Sequence, residues 1–436
     1  MSDSKDPAPD VARGQTGELP AVPHGGSFGA LRHRDFRLLW SGSIIANVGN
    51  WMQQVAQAWL IYEITGSAFL VGLGGLFRVA PFLLMSLYAG TVVDRVERRR
   101  LLFWVECGNL AITVYLTVVI GMGLVTVWHL YLAAVLNSLV GSFENPTYQA
   151  ILPDLVPRHD LMTAVSLNAL IRRGSQIIGP ALGGVSVAAL GMTETYMINV
   201  VGYIVLIVLI VAMRPLKAPT VERARSPLQA LSDGLSYVRR DRLIAGLLII
   251  DAATSIFGHA YNGLLVIFAR DVFDAGAQGL GLLQSAPGLG TVLGSVVIAG
   301  MGDVRRKGLV MMIAGVVFGV AMVLFATTPS FPLALLFLAI TGVADVTMGS
   351  MRITILQFVA RREMLGRVMS LQAMATRGVG GLGNFQAGAI GSIIGVPYAI
   401  ALGAFVCLAT ILAVSWAVPS IRQFTGTIRP SDRRGP

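Results

Sequence analysis

Long apolar runs broken by short polar punctuation make up nearly the whole chain. A membrane-spanning helix needs about 20 mostly apolar residues. Twelve such runs occur, at 36–62, 69–93, 101–121, 128–147, 161–190, 195–213, 243–269, 279–300, 309–327, 332–351, 366–395 and 397–418. Turn-forming or charged clusters separate them: Thr65-Gly66-Ser67, Asp94 to Arg100, Gly121 to Gly123, and Pro153 to Asp160. The pattern predicts an all-α membrane protein of 12 transmembrane helices. The longest break, 215–242, carries Pro215, Pro219, Pro227 and many arginines, and it falls midway. The expected organisation is therefore a tail at 1–35, a six-helix half at 36–214, a linker at 215–242, a second six-helix half at 243–418 and a basic tail at 419–436.

Composition supports this reading and removes several others. The chain is 54% hydrophobic and 13% charged, with a mean hydropathy of +0.70, whereas soluble domains carry about 25% charged residues. The 50 glycines suit close helix contacts in lipid, where small residues let backbones approach. Cys107 and Cys407 each lie in an apolar run, so neither a disulfide framework nor a metal site is expected. The first 27 residues are polar and lack an apolar core, so they read as a cytoplasmic tail rather than a signal peptide. A net charge of +10 could suggest nucleic-acid binding, but the basic residues concentrate on one side of the helices, a positive-inside pattern. That pattern places both termini and the 215–242 loop in the cytoplasm. Arg78, Arg172, Arg173 and Arg377 fall within helices, and Arg270 borders a loop on the far side.

The halves resemble each other at an offset of 204 residues. Arg173-Gly174 falls on Arg377-Gly378, Gly179 on Gly383, and Gly184 on Gly388, a weak internal repeat of the kind many transporters carry.

The stretch Gly90 to Arg100, G-T-V-V-D-R-V-E-R-R-R, resembles the loop between helices 2 and 3 that marks the major facilitator superfamily, although Glu97 stands where that family usually has glycine. Asp94 could meet the positive amide end of a neighbouring helix, with Arg95, Arg98 and Arg99 at the cytoplasmic interface, making a gate clasp. A shortened copy keeps Asp303. In helix 5, Gly179, Pro180, Gly183 and Gly184 resemble the antiporter motif of the same superfamily. Phe36 to Ala68 and Asn145 to Pro157 are similar to its macrolide-efflux and enterobactin-exporter branch, also described as transmembrane secretion effectors. The resemblance implies the major facilitator fold, cavity lining by helices 1, 4, 7 and 10, a seam built by helices 2, 5, 8 and 11, and export by proton antiport.

An ionisable side chain at a helix centre costs about 2.5 to 3.5 kcal/mol on insertion scales, so each one needs a partner, water or a function. On helix 1, Asn47, Asn50, Gln54 and Gln57 form one amide stripe, which should face a cavity rather than lipid. Helix 7 aligns Asp251, Ser255, His259 and Asn262, and Glu144 and Asp345 sit on helices 4 and 10. Asp251 and Asp345 are the foremost candidates for proton coupling, because a desolvated carboxylate exchanges protons in the working pH range. Glu144 competes as a gate residue, and His259 as a titrating or simply hydrogen-bonded side chain. Arg78, Arg172, Arg173 and Arg377 are expected at the seam, paired with these acids.

The sequence thus leads to a monomeric secondary transporter of the bacterial inner membrane, exporting a drug, siderophore or other small molecule at the expense of the proton gradient, without cofactor or metal. An importer, a lipid-translocating facilitator or a non-transporting receptor of the same fold are the alternatives. No nucleophile elbow, metal cluster or phosphate loop suggests an enzyme.

Overall fold

A computed structural model of the chain describes residues 28–215, 227–302 and 304–426. Among these residues the fold is helical throughout. Helices α1 (Arg34–Thr65), α2 (Ala68–Val93), α3 (Arg98–Gly121), α4 (Val127–Leu155), α5 (Leu161–Ala189) and α6 (Met192–Val211) run back and forth in order. The amphipathic α7 (Pro227–Arg240) leads to α8 (Arg242–Ala253), a π-helical turn at Thr254–Gly258, the short α9 (Leu265–Ile267) and a second π turn at Phe268–Val272. Helices α10 (Gly276–Gly300), α11 (Lys307–Thr327) and α12 (Phe331–Val359) follow. After them come α13 (Arg362–Ala373), a π turn at Met374–Gly378, α14 (Gly380–Ile394), α15 (Val396–Ala417) and the terminal α16 (Pro419–Arg422).

Local chemistry explains these boundaries. Gly66, in the left-handed region at φ 57°, closes α1, and the Ser67 side chain caps α2 by accepting from the Leu70 amide. The Asp241 carboxylate caps α8 through the amides of Leu243 and Ile244, satisfying donors that have no partner within the helix. Gly191 and Gly395, 204 residues apart, take φ values of 105° and 92° in the turns leading into α6 and α15, so the sequence repeat is matched by a repeat in backbone geometry.

Among the described residues, seven helices are long and apolar enough to cross a membrane by length and composition. Elements outside that set include α1, α4 and α5, which carry the amide stripe, Pro146 and Pro153, and Arg172 with Arg173. Two of the expected continuous runs are broken. The run at 243–269 unwinds at 259–264 between π turns, and the run at 366–395 is split by the π turn before Gly380. The Asn384 side chain accepts from the freed amide of Gly263 at 3.4 Å. The run expected to end at 351 instead continues to Val359, which puts Arg352 inside α12.

One end of the bundle collects Arg34, Arg95 to Arg100, Arg158, Arg214, Arg239, Arg240 and Arg361; we call it the basic face. There Arg98 pairs with Asp154 of α4 at 2.6 Å. Arg99 donates to the carbonyls of Ile210 and Val211, at 2.9 and 2.7 Å, neutralising the negative end of α6. His33 pairs with the nearly buried Asp160 at 2.8 Å, tying the start of α1 to that of α5.

Two seams join α1–α6 to the later helices: α5 lies along α10, and α2 along α14. They are built alike. A Cβ on Gly184 would strike the Ala277 carbonyl oxygen and the Gly281 Cα, and one on Gly281 the carbonyl of Pro180. In the other seam, Gly388 meets Ala68 and Gly72 in the same register, and Gly72 meets the carbonyl of Asn384. Gly179 and Gly183 face α1 instead, against Trp51 and Met52.

Overpacking at such a contact costs about 1–3 kcal/mol. Gly184→Val should therefore lower the thermal unfolding temperature of the detergent-solubilised protein clearly. Gly174→Ala on the same helix, with nothing within 4 Å of the added carbon, should leave it unchanged.

Candidate functional site: the central cavity

The face opposite the basic one is closed. Tyr62, near the end of α1, donates its hydroxyl to Asp271, and the Arg270 guanidinium lies over the Tyr62 ring at 5.6 Å, within the range of a cation–π contact. The glycine contacts of both seams continue this closure toward mid-depth. At the basic face Asp94 and Arg95 are exposed, and α13 makes its main contact with α7. The clasp expected of Asp94 is therefore not engaged here, while Arg98 and Arg99 serve the first six helices. Asp303 and the side chain of Arg377 lie outside the described residues.

Between the closed end and the basic face are three adjoining cavities of about 410, 330 and 410 Å³, with Gln54 on the wall of all three. Each falls in the size range of small-molecule sites. The amide stripe of α1 lines them: Asn50 and Gln57 in the first, Asn47 and Asn50 in the third. Part of the stripe also serves packing, since Asn47 donates to the Ser43 carbonyl at 2.8 Å and Gln57 to that of Leu130 at 3.1 Å. Glu144 borders the first and third cavities; His259, Asn262 and Asp345 border the second.

His259 and Asp345 approach to 3.5 Å. Asp251, expected on the same cavity face as His259, is elsewhere. The unwinding after the π turn breaks that face, and Asp251 is buried against Arg352 of α12 at 2.6 Å, with side chains 2% and 6% exposed. Its second oxygen accepts from Thr376 at 2.8 Å and Gln372 at 3.2 Å. One carboxylate thus binds α8, α12 and the π turn between α13 and α14.

The arginines also depart from expectation. None of Arg78, Arg172 and Arg173 pairs with Asp251. Arg78 opens onto the first two cavities and Arg173 onto the second and third. Arg172 donates to the Asn145 side chain at 3.0 Å. Seam helices therefore line the cavity as well as the seam.

A further polar cluster escaped the sequence reading. Glu106 of α3, 2% exposed, accepts from Asn109 at 3.4 Å and from Tyr148 at 3.5 Å, and Ser43 donates to the Tyr148 hydroxyl at 3.2 Å. Glu144 stands one turn before Tyr148 on α4. The spacing of Glu106, Asn109 and Thr113 along one face of an apolar run was the available signal. Gln53 belongs with it, accepting from Thr113 at 3.4 Å and from Asn199.

Residues 25–430 match the family described as transmembrane secretion effector. The chain belongs to that family. It is a multi-pass membrane transporter of the major facilitator type, and not an enzyme. It is 27% identical over 388 residues to the multidrug efflux pump Tap of Mycolicibacterium fortuitum, covering 87% of this chain and 91% of that one. It is 26% identical over 267 residues to the staphyloferrin A transporter of Staphylococcus aureus, covering 60% of this chain and 66% of that relative, just under two thirds of its length. Among solved structures, a bacterial homologue of the human lysosomal transporter Spinster, in an inward-facing and unoccupied conformation, superposes with a TM-score of 0.68 at 15% identity. That match covers 91% of this chain and 99% of the other, and it shares the fold.

Removing one partner of a buried ion pair leaves an uncompensated charge and costs about 3–5 kcal/mol. Asp251→Asn and Arg352→Gln should each destabilise the protein strongly, and the double variant should lose much less than the sum. A thermal-unfolding double-mutant cycle measures the coupling, and additive losses would refute it.

Proposed function

We propose that this protein is a secondary exporter of small molecules in the bacterial inner membrane, driven by proton antiport. The observation that carries the reading is the amide-lined cavity, closed at the Tyr62–Asp271 end and bordered by Glu144 and Asp345. On this reading twelve crossings form two six-helix halves, 36–214 and 243–418, and the basic face is cytoplasmic, as the positive-inside rule favours. The cavity then faces the cytoplasm in the conformation described, the state in which an exporter loads its cargo. Both termini and the 215–242 linker share that side. The chain works as a monomer without cofactor or metal, its partners being cargo, protons and lipid.

Alternating access follows if the halves rock about the glycine seams. In the outward-open state the basic face closes, and Asp94 engages the opposite half. Protons entering from outside reach Asp345 and weaken its hold on His259, or reach Glu144, shifting the balance between the two states. Asp251 acts as a structural pin in this scheme, since its charge is already matched by Arg352. Relatives named as a multidrug efflux pump and a staphyloferrin A transporter support a small-molecule cargo such as a drug or siderophore.

Cells expressing the protein should accumulate less of an exported fluorescent dye than cells lacking it. A protonophore should abolish the difference, as should Asp345→Asn combined with Glu144→Gln. Efflux indifferent to both would remove proton coupling, and greater dye uptake by the expressing cells would make the protein an importer.

A further inference from the structure

Arg78 and Arg173 come from different seams. Arg78 lies on α2, which packs on α14, and Arg173 on α5, which packs on α10. At 1.5 Å per residue, Arg78 sits about 15 Å along α2 from its first residue, and Arg173 about 18 Å along α5 from its own, so both are near mid-depth. Both guanidinium groups open onto the same cavity of about 330 Å³. Neither makes an ion pair or a side-chain hydrogen bond among the described residues, and both are exposed to the open cavity, whereas the buried Arg352 is matched by Asp251.

Arginine stays charged at any working pH, and an unmatched charge at this depth needs water or a counter-ion. The acids that face these two groups are few. Asp345 lines the same cavity as Arg173 and lies 3.5 Å from His259. Glu144 borders the first cavity together with Arg78. Arg172, beside the third cavity, adds further positive charge. Around the 330 Å³ cavity two fixed positive charges thus face one carboxylate, even with His259 neutral. The rest of that wall supplies amides, Gln54, Gln176, Gln284 and Asn384, which donate to oxygen, and Trp51 and Phe318, which suit an apolar body.

We propose that the cargo is an organic anion, an amphipathic molecule carrying carboxylate or similar oxyanion groups, held between Arg78 and Arg173. Each guanidinium can take one anionic group, with the apolar part of the cargo against Trp51 and Phe318 of the same wall. A cationic drug would meet two like charges with only Asp345 to offset them. The assignment rests on the export reading above and narrows its substrate class. With the inside of the cell negative, outward movement of an anion is also assisted by the membrane potential.

Two xanthene dyes of opposite charge, carboxyfluorescein and rhodamine 6G, test this as equilibrium binding to the purified full chain in nanodiscs, followed by fluorescence anisotropy. Carboxyfluorescein should bind the unsubstituted protein more tightly than rhodamine 6G. Arg78→Gln and Arg173→Gln should each weaken carboxyfluorescein binding by about tenfold or more, the value of one charge-assisted contact, and leave rhodamine 6G unchanged or slightly tighter. Arg78→Lys and Arg173→Lys should retain most of the anion binding, which separates charge from folding, and the dye preference of the unsubstituted protein stands even if the glutamine variants do not fold. Preference for rhodamine 6G, or carboxyfluorescein binding indifferent to both arginines, overturns the proposal. Because binding is read without flux, failure of the export reading would show as absent transport with anion binding intact.

Discussion

Backbone-to-backbone contact at two glycine seams is the interaction on which the rest of the arrangement depends. In lipid there is little hydrophobic force between helices, so association relies on close packing. Gly184 against Gly281 and Gly72 against Gly388 bring α5 onto α10 and α2 onto α14 at distances any side chain would prevent. These contacts, together with Tyr62 on Asp271, close one end of the bundle. The same register in both seams makes them equivalent pivots, and leaves the polar interior open toward the other end.

That interior divides its charges into two kinds. Asp251 and Arg352 are desolvated and matched, and with Thr376 and Gln372 they fasten α12 to α8 and α13 beside the π turns that follow those two helices. π turns interrupt the regular ladder and recur at functional sites. Here they occur in the runs at 243–269 and 366–395, which meet at Asp251 and Thr376 and again at Gly263 and Asn384. Arg78, Arg173, Glu144 and Asp345 instead border open volume. Matched pairs fix structure; the partly matched ones are free to respond to protons and cargo. A buried pair is by itself weak evidence of function, so the burial of Asp251 moves attention to Asp345 and Glu144.

Much of this was legible in the sequence, and the failures have physical causes. Helix positions, the basic face and the α1 amide stripe follow from hydropathy and periodicity, which report the environment of each residue directly. The 204-residue repeat recurs in the backbone, in the matching turns at Gly191 and Gly395. A strict 3.6 period, however, assumes an unbroken helix, so the π turn after Ala253 defeated the alignment of Asp251 with His259. Hydropathy also ended the α12 run before Arg352, because a charge reads as a boundary even when a carboxylate on another helix offsets it. Glu106 was passed over for the opposite reason, a lone acid diluted by the apolar residues around it. Tertiary partners, invisible along the chain, decide all three.

The central claim is that the two ends of the bundle open in alternation. Spin labels can follow both in one membrane-reconstituted preparation. One pair sits at the basic face, Met162 on α5 and Glu363 on α13, and the other at the far end, Leu124 before α4 and Thr327 on α11, all at exposed positions. Double electron–electron resonance distances should change in opposite senses on acidification, one of the two lengthening as the other shortens. Distances that stay fixed, or that lengthen together, would contradict alternating access about the glycine seams.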